Sequence, residues 1–555
     1  MKRIIAFTLF SLMIWMGQAS SIKEGKILPP TVVAIPPSDA YIGLSRMPDG
    51  EIRHYNYGEQ AEAGSFYISS VDSGRTWKRV NLPKEIPFAD VCSPLSGEYV
   101  RMIGVAGMGT YVVRTQGGLY GGRNIIKVSD TLCIMCKPPV FIKQGRRVVI
   151  AAHYGLQKGL PRACFSYYSD DDGLSWHKSA LVTTPDHKGG GLHQGIRWNH
   201  GAAEPSIVEL KDGRLWMLIR TSQDKYYQSF SSDGGENWEQ STPSPFYGTI
   251  TMPTVGRLSD GRLLFMGSMS TPLPEVGNTD GVWEDVFTNR TVVHAAISAD
   301  EGKTWQGFRE LYLDDRRDAA DFGSVSGIDK GLHQTQFVEA YPGRIIVSVG
   351  QHRLHRKILA LDEAWLLQKN RRCDFSDSLK QWSVFSYCKG IVGHCGYNRK
   401  PGCVLTKEGL EVKRLNDPDL LSAQAGAVWN FPALRKGYLA LKLCLKENIG
   451  SGKLLLNDRW FNPSDSTAAL FAPYVLKIDR KTLGIKDDRF HRLVLTWDLD
   501  KKHSGKIVSV DGKRRFRLPL LADCPHGLFY LHLLSSTVKG DQGYIVSEVE
   551  TGPSI

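Results

Sequence analysis

Polar side chains able to transfer protons concentrate in a few short segments of the 555-residue chain. The densest segment is 189–205, which contains His193, Arg197, His200 and Glu204. A neutral imidazole can accept or donate a proton near physiological pH, so these histidines could carry acid–base chemistry. His200, four residues before Glu204, is the first candidate for proton transfer.

A second polar segment contains His333 and Gln334, which with Glu204 are further catalytic candidates. The candidates for substrate binding, besides the arginines described below, are His193, Arg197, His153 and Gln351. An isolated histidine in a strand is usually a hydrogen-bonded structural residue, and we interpret His352 in this way. The imidazoles show no HxH or HExxH spacing. The sequence therefore predicts neither a metal site nor a cofactor.

Two arginines stand beside strand-like apolar runs: Arg220 ends the run 215–220, and Arg290 precedes the run 292–297. A guanidinium stays charged and can pair with a carboxylate through two hydrogen bonds. Both are therefore candidates for binding an acidic group. Taken singly, each has a structural alternative, because Arg220 could form an internal ion pair, Arg290 could be a surface charge and Glu204 could cap a turn.

The elements that position these residues are marked by one motif that occurs four times. In each copy an Asp can accept backbone hydrogen bonds, a Gly supplies a positive φ, and a Trp covers the turn. The copies are Ser70–Trp77, Ser169–Trp176, Ser231–Trp238 and Ser298–Trp305. The repeat predicts an array of similar β-units.

The spacing of the motif indicates how many units there are. The four Asp residues are 99, 62 and 67 residues apart, and a propeller blade of four strands needs roughly 40–50 residues. The first interval therefore predicts a blade whose turn has lost the motif. The segment 27–367 suits a six-bladed β-propeller with insertions.

Strand-like runs bounded by turn residues support an all-β fold. Asp-Gly pairs, a strong hairpin signal, separate several of them. The predicted strands are 147–152, 206–210, 215–220, 263–266, 292–297, 344–349, 438–445, 491–497 and 506–510.

The repeated motif resembles the Asp-box of sialidases and related β-propellers, S-x-D-x-G-x-T-W. The order Glu204, Asp212-Gly213, Arg220 and then the box at Asp233 also resembles one blade of that family. The resemblance implies that Glu204 raises the basicity of a tyrosine nucleophile. It also implies that Arg220, together with Arg290 ahead of the last box, binds a substrate carboxylate.

The chain departs from the sialidase pattern at three places. No Arg-Ile-Pro opens the first blade, where Arg46 is too near a turn to replace it. The acidic residue expected ahead of the first box has no counterpart nearer than Glu59 and Glu62. Histidine and glutamines occupy the region of the expected tyrosine, and Tyr341 falls in a turn. A mechanism through a tyrosine nucleophile is therefore not expected.

Beyond the propeller the chain again predicts short strands. We place a propeller at 25–370 and a β-sandwich accessory domain at 373–555, which looks like the jelly-roll or concanavalin-like modules of carbohydrate-active enzymes. Trp460 and Phe461 could form a sugar-stacking platform, although a turn packed on its own core is the preferred interpretation.

The N-terminus predicts export. Residues 1–20 have the basic start, short apolar run and small-residue exit of a signal peptide cleaved near Ala19. A secreted or periplasmic protein follows, with no membrane span expected, and its ten cysteines permit disulfides. The net charge of +12 favours an anionic partner. Scattered basic residues and export argue against nucleic acid.

The sequence thus predicts a secreted glycosidase of the sialidase-like superfamily that cleaves a terminal acidic sugar, sialic acid-like or uronic, from a glycan. One alternative is a lyase that abstracts a proton beside an arginine-neutralised uronate. Another is a carbohydrate-binding propeller without catalysis.

Overall fold

The protein is described here from a computed structural model. The described residues are 27–37, 43–56, 66–82, 91–116, 123–155, 162–188, 201–271, 290–320, 322, 330–352, 355–391, 397–446, 450–501 and 506–554. The predicted signal peptide lies outside them, as do the candidates His193, Arg197 and His200 and the carboxyls of Glu59 and Glu62.

The propeller region forms six antiparallel sheets, which we number blades 1 to 6 in chain order. The strand that precedes them is β1 (Thr31–Ala34). Blades 1 and 2 contain β2 (Leu44–Arg46), β3 (Ile52–Tyr55), β4 (Phe66–Ser70), β5 (Lys78–Asn81), β6 (Val91–Cys92), β7 (Tyr99–Val105), β8 (Gly109–Thr115) and β9 (Arg123–Ser129). Blades 3 and 4 contain β10 (Cys133–Ile134), β11 (Val140–Ile142), β12 (Arg147–Tyr154), β13 (Cys164–Ser169), β14 (His177–Lys178), β15 (Ala203–Glu209), β16 (Leu215–Arg220), β17 (Lys225–Ser231) and β18 (Thr242–Tyr247). Blades 5 and 6 contain β19 (Thr254–Arg257), β20 (Leu263–Gly267), β21 (His294–Ser298), β22 (Gln306–Glu310), β23 (Gln336–Tyr341), β24 (Arg344–Val349) and β25 (Lys357–Asp362).

The six sheets surround one channel. Their innermost segments line a single cavity of about 630 Å³ and are 44–48, 91–92, 137–141, 206–209, 254–257 and 336–339. Strand β1 pairs with β25, so the N-terminal strand completes the last blade. Between the first and last blades, Gln336 Oε1 accepts hydrogen bonds from the backbone N–H groups of Gly43 (2.8 Å) and Leu44 (3.0 Å).

The four Asp-box turns join the third and fourth strands of blades 1, 3, 4 and 5. In the last of them, Asp300 accepts bonds from the Thr304 amide at 2.8 Å and hydroxyl at 2.6 Å. Gly302 has φ +84°, and Trp305 donates its indole N–H to the Gly302 carbonyl at 3.0 Å. The expected turn chemistry is present, although the amides bound lie three and four residues after the Asp rather than two or three.

After the last blade, α1 (Glu363–Leu366) leads into two further antiparallel sheets. The eight-stranded sheet contains β26 (Arg371–Cys373), β30 (Val404–Leu405), β31 (Leu410–Val412), β33 (Lys436–Leu445), β36 (His491–Asp498), β37 (Lys506–Val510), β38 (Lys513–Leu518) and β40 (Tyr544–Gly552). The five-stranded sheet contains β27 (Trp382–Ser383), β32 (Gly426–Leu434), β34 (Gly452–Asn457), β35 (Tyr474–Ile478) and β39 (Leu528–Ser535). A separate hairpin and two short helices complete the region: β28 (Phe385–Ile391), β29 (Tyr397–Pro401), α2 (Ala468–Phe471) and α3 (Arg480–Leu483). One apolar core, which includes Trp382, Trp429 and Leu443, unites the two sheets.

The five-stranded sheet packs against the outer part of blades 4 and 5. Trp460 and Phe461 are 2% and 1% exposed, and Trp460 belongs to an apolar cluster that also contains Phe308 and Phe529. The structural interpretation of Trp460 and Phe461 is therefore correct, and a sugar-stacking platform there is excluded by burial.

The prediction of an all-β fold is confirmed, since the helices of the described residues are three segments of four residues each. No helix among the described residues is long and apolar enough to cross a membrane.

Candidate active site

Glu204 lies at a bulge in the innermost strand of blade 4. Ala203 pairs with Arg220 and Ser206 pairs with Leu218, so Glu204 and the following proline together oppose one residue of β16. Glu204 has φ +45°, a left-handed conformation that is costly for a side chain with a Cβ. Non-glycine residues held in such conformations cluster at functional sites, and bulges redirect side chains there.

The carboxylate of Glu204 pairs with the guanidinium that ends the neighbouring strand. Arg220 Nη1 donates to Glu204 Oε2 at 2.6 Å, and the two residues are only 4% and 7% exposed. Burial alone would raise the pKa of Glu204, but Arg220, His153 and Arg290 outweigh it and lower that pKa. Glu204 is therefore an anion at neutral pH, within electrostatic reach of two guanidinium groups.

Arg290 is held by residues from blade 6. Its Nη2 contacts both His333 Nε2 and Gln351 Oε1, and the residue is 2% exposed. The backbone joins the same groups, because Leu332 N–H donates to the Arg290 carbonyl at 2.8 Å. The structure thus brings together Arg290, His333 and Gln351, three residues that the sequence proposed separately.

The hydrogen bonds of His333 fix its tautomer. The Met252 amide donates to His333 Nδ1 at 2.9 Å, so Nδ1 must be the acceptor and the proton sits on Nε2. Nε2 in turn lies 2.9 Å from Gln351 Oε1. Protonating Nδ1 would remove the hydrogen bond that it accepts from the Met252 amide, and it would place a second cation against Arg290. The expected proton-transfer role of His333 does not fit this geometry, which instead makes it a positioning residue for Gln351, whose Oε1 accepts from both His333 Nε2 and Arg290 Nη2.

His153 is a buried neutral imidazole on blade 3. Its Nδ1–H donates to the Tyr154 carbonyl at 2.8 Å, and its Nε2 lies 3.9 Å from Cys136 Sγ. Burial lowers the pKa of His153, and Glu204 opposes that shift only in part. His153 therefore belongs to the electrostatic surroundings of Glu204, as a neutral group with one accepting nitrogen.

Lys137 is a site residue that the sequence analysis missed. Its ammonium donates to Thr254 Oγ1 at 2.6 Å and to the Thr335 carbonyl at 2.7 Å, so it joins blades 3, 5 and 6 across the channel. Burial lowers the pKa of Lys137 to about 7, although Glu204 raises it. The sequence signal that could have identified Lys137 was its position, directly after Cys136 and ahead of an inner strand.

Two further buried groups complete the site. Gln334 is 3% exposed, and its Oε1 accepts no hydrogen bond from the described residues. Tyr226 is fully buried, is influenced by Arg220 and Glu204, and has its hydroxyl 2.7 Å from Thr251 Oγ1. Burial raises the pKa of Tyr226, so its hydroxyl is not an activated nucleophile.

The residues discounted by the sequence analysis lie away from this site. Arg46 is exposed at the opposite end of the channel, and Tyr341 is 45% exposed. Tyr341 is the last residue of β23 and pairs with Arg344, so it precedes the predicted turn instead of lying in it. The described residues contain no group of three or more His, Cys, Asp or Glu side chains arranged to hold a metal ion.

Comparison with protein families identifies the blades that build the site. Residues 127–365, which include the last three Asp-box turns, match the family described as BNR repeat-like domain. This segment of the chain is similar to a BNR repeat-like domain. It contains Lys137, Glu204, Arg220, Arg290 and His333, so the whole charged cluster lies within the matched residues.

Solved structures resemble the chain at low sequence identity. The Trypanosoma rangeli sialidase is 12% identical, with 92% of this chain and 91% of that chain covered and a TM-score of 0.36. A protein of unknown function from Dyadobacter fermentans is 18% identical, with coverages of 61% and 98% and a TM-score of 0.39. The NanB sialidase from Streptococcus pneumoniae is 12% identical, with coverages of 61% and 71% and a TM-score of 0.39. No curated protein matches the sequence.

Proposed function

We propose that this BNR repeat-like protein is a glycosidase that removes a terminal acidic sugar, such as a sialic or uronic acid, from a glycan. The observation that carries the proposal is the buried Glu204–Arg220 pair with Arg290 beside it. One carboxylate and two guanidinium groups leave an excess of positive charge in a region shielded from water. A ligand carboxylate would compensate that charge.

Each group then has a role consistent with its surroundings. Arg220 and Arg290 bind the sugar carboxylate, while Gln351, oriented by His333, holds Arg290 in position. Glu204 is ionised and strained, and its carboxylate orients and polarises the attacking group. An enzyme with these residues would work without a tyrosine nucleophile. Export, proposed from the N-terminal segment, would bring it to extracellular or periplasmic glycans.

A binding propeller without catalysis is the second candidate. It is favoured by the fixed tautomer of His333 and the raised pKa of Tyr226, which leave Glu204 as the clearest proton acceptor among the described site residues. Such a protein would bind the acidic sugar through the same two arginines but release no product.

The test measures fluorophore release from 4-methylumbelliferyl glycosides of N-acetylneuraminic acid and glucuronic acid. Arg290→Met should lower kcat/KM by about tenfold to a hundredfold, because a hydrogen bond to a charged group contributes about 1.5–3 kcal/mol. Arg147→Met is the matched control, since Arg147 is equally buried but pairs with Asp170 and Glu236 near the Asp-box turns.

The outcomes separate the candidates. Release that Arg290→Met impairs and Arg147→Met leaves intact supports the glycosidase. Calorimetric binding of the free sugar acid without release supports the binding propeller. Neither release nor binding of either sugar refutes the proposal, and an unsaturated product absorbing in the near ultraviolet would show a lyase instead.

A further inference from the structure

The channel between the six inner strands has the size and lining of a ligand site. Its volume of about 630 Å³ falls within the roughly 300–1,000 Å³ of small-molecule pockets. Apolar side chains contribute much of the wall, among them Leu44, Val140, Phe141 and Phe337. The strands that surround it are about four residues long, which gives a path of roughly 13 Å.

The channel is accessible from the end that carries the Asp-Gly turns. Of the charged residues that line it, Arg46, Glu209, Arg257 and Glu339 lie toward this end and are exposed or partly exposed. Two are basic and two are acidic, so the mouth has no strong preference for either sign of charge.

At the inner end of the channel, the charged lining residue among those described is Lys137, which is basic. Lys137 lines the channel there and is 8% exposed, and both of its hydrogen-bond partners, the Thr254 hydroxyl and the Thr335 carbonyl, are neutral. Among the described residues no carboxylate lies within ion-pair distance of its Nζ. An ammonium has three N–H groups, and the two described bonds leave the third for a ligand.

We infer that the channel is a second ligand site, entered from the end that carries the Asp-Gly turns, for an unbranched apolar molecule that carries a carboxylate. The carboxylate pairs with the Lys137 ammonium, and the apolar chain lies along the wall formed by the inner strands. Burial of both groups strengthens their attraction, since the interior is less polar than water. This site meets the proposed glycosidase site at Lys137, and its apolar wall runs from there along the inner strands toward the Asp-Gly turns, without Arg290 in its lining.

The pairing makes binding dependent on pH. The groups that influence Lys137 are Cys136, Glu204 and Arg356. Because burial lowers the pKa of Lys137 to about 7, the ammonium is present below that pH and is lost above it. Affinity for a carboxylate should therefore fall by up to tenfold for each pH unit above 7.

Octanoate is the probe, because its chain length suits the channel, and its binding to the full-length protein is measured by calorimetry. We expect saturable binding of one octanoate at pH 6.5, with proton uptake from the buffer at pH 8. Lys137→Met should weaken it at least tenfold, and the exposed Lys143→Met, on the same blade, should not. Octanol and octylammonium should bind much more weakly.

Two further variants keep the test decisive if Lys137→Met fails to fold. Val140→Trp, at a half-buried position of the wall, should block the channel and abolish binding. Arg290→Met should leave octanoate affinity unchanged, which separates this site from the proposed active site. Equal binding of octanol, or unchanged binding by Lys137→Met and Val140→Trp, would overturn the inference.

Discussion

Replacing Arg220 with methionine tests whether the Glu204–Arg220 pair is an energetically coupled buried unit. The two side chains meet at 2.6 Å and are almost fully buried. At an effective dielectric constant of 20, two unit charges attract by about 4 kcal/mol at a separation of about 4 Å and by about 6 kcal/mol at 2.6 Å. Breaking a buried pair by removing one partner costs about 3–5 kcal/mol. We therefore expect Arg220→Met to lower the free energy of unfolding by about that amount.

The double variant Glu204→Gln/Arg220→Met separates a broken pair from lost packing. It removes the stranded carboxylate, so it should be more stable than Arg220→Met alone by about 2 kcal/mol. Denaturant unfolding of the wild type, of the single variants Arg220→Met and Glu204→Gln and of the double variant, followed by fluorescence and circular dichroism, gives the coupling energy. Additive losses for the two single variants would show that the pair is not coupled and would refute the reasoning.

The pH dependence gives an independent check. In the wild type the pKa of Glu204 is lowered, so the pair stabilises the fold above the ordinary glutamate pKa and loses this effect as pH falls through the lowered value. In Arg220→Met, burial becomes the dominant influence and raises the pKa of Glu204. The variant should then lose stability as pH rises past about 4.3, which is the opposite trend.

Three other perturbations address strain, the domain interface and the channel. Glu204→Gly should be more stable than Glu204→Ala by about 1 kcal/mol, because glycine adopts the left-handed conformation without a steric cost; equal unfolding free energies would contradict the strain. Tyr530→Phe should cost about 1–3 kcal/mol, because its hydroxyl links His294 Nε2 and Glu310 Oε1 between propeller and sandwich; a thermal melt without a shift would contradict it. The free energy of unfolding of the wild type should rise between pH 7 and about 10, because the buried Lys137 is then neutral in the folded state while lysine in the unfolded chain still binds a proton. Lys137→Met should lack this contribution to pH-dependent unfolding.

Much of the strand pattern could be predicted because local signals agree with the fold. The strands Leu215–Arg220, Arg344–Val349 and Lys506–Val510 match the predicted ranges at both ends. Each is a run rich in apolar residues, and a tight turn precedes or follows it. The predicted strand 292–297 instead runs over His294–Ser298, and Val292 and Val293 form an irregular link between that strand and the turn at 290–291.

The bulge at Glu204 had no comparable sign in the sequence. A residue with positive φ is usually glycine or asparagine, and the residue before a proline favours an extended conformation. Glu204 is neither glycine nor asparagine and precedes Pro205, so both local rules predict a regular strand. Tertiary pairing with β16 overrides them, and only the structure shows how the carboxylate reaches Arg220.

The chemical states of the site residues depend on partners that are distant in sequence. The tautomer of His333 is set by the amide of Met252, 81 residues away, and Lys137 is buried by contacts with Thr254 and Thr335 from two other blades. Sequence can identify a histidine or a lysine as a candidate, but it cannot show which nitrogen carries a proton or whether an amine is desolvated. The two proposed ligand sites follow from this same long-range packing, because Lys137 borders the channel on one side and influences Glu204 on the other. Since Lys137 joins the inner strands of blades 3, 5 and 6, a carboxylate bound in the channel would act on Glu204 through one shared ammonium.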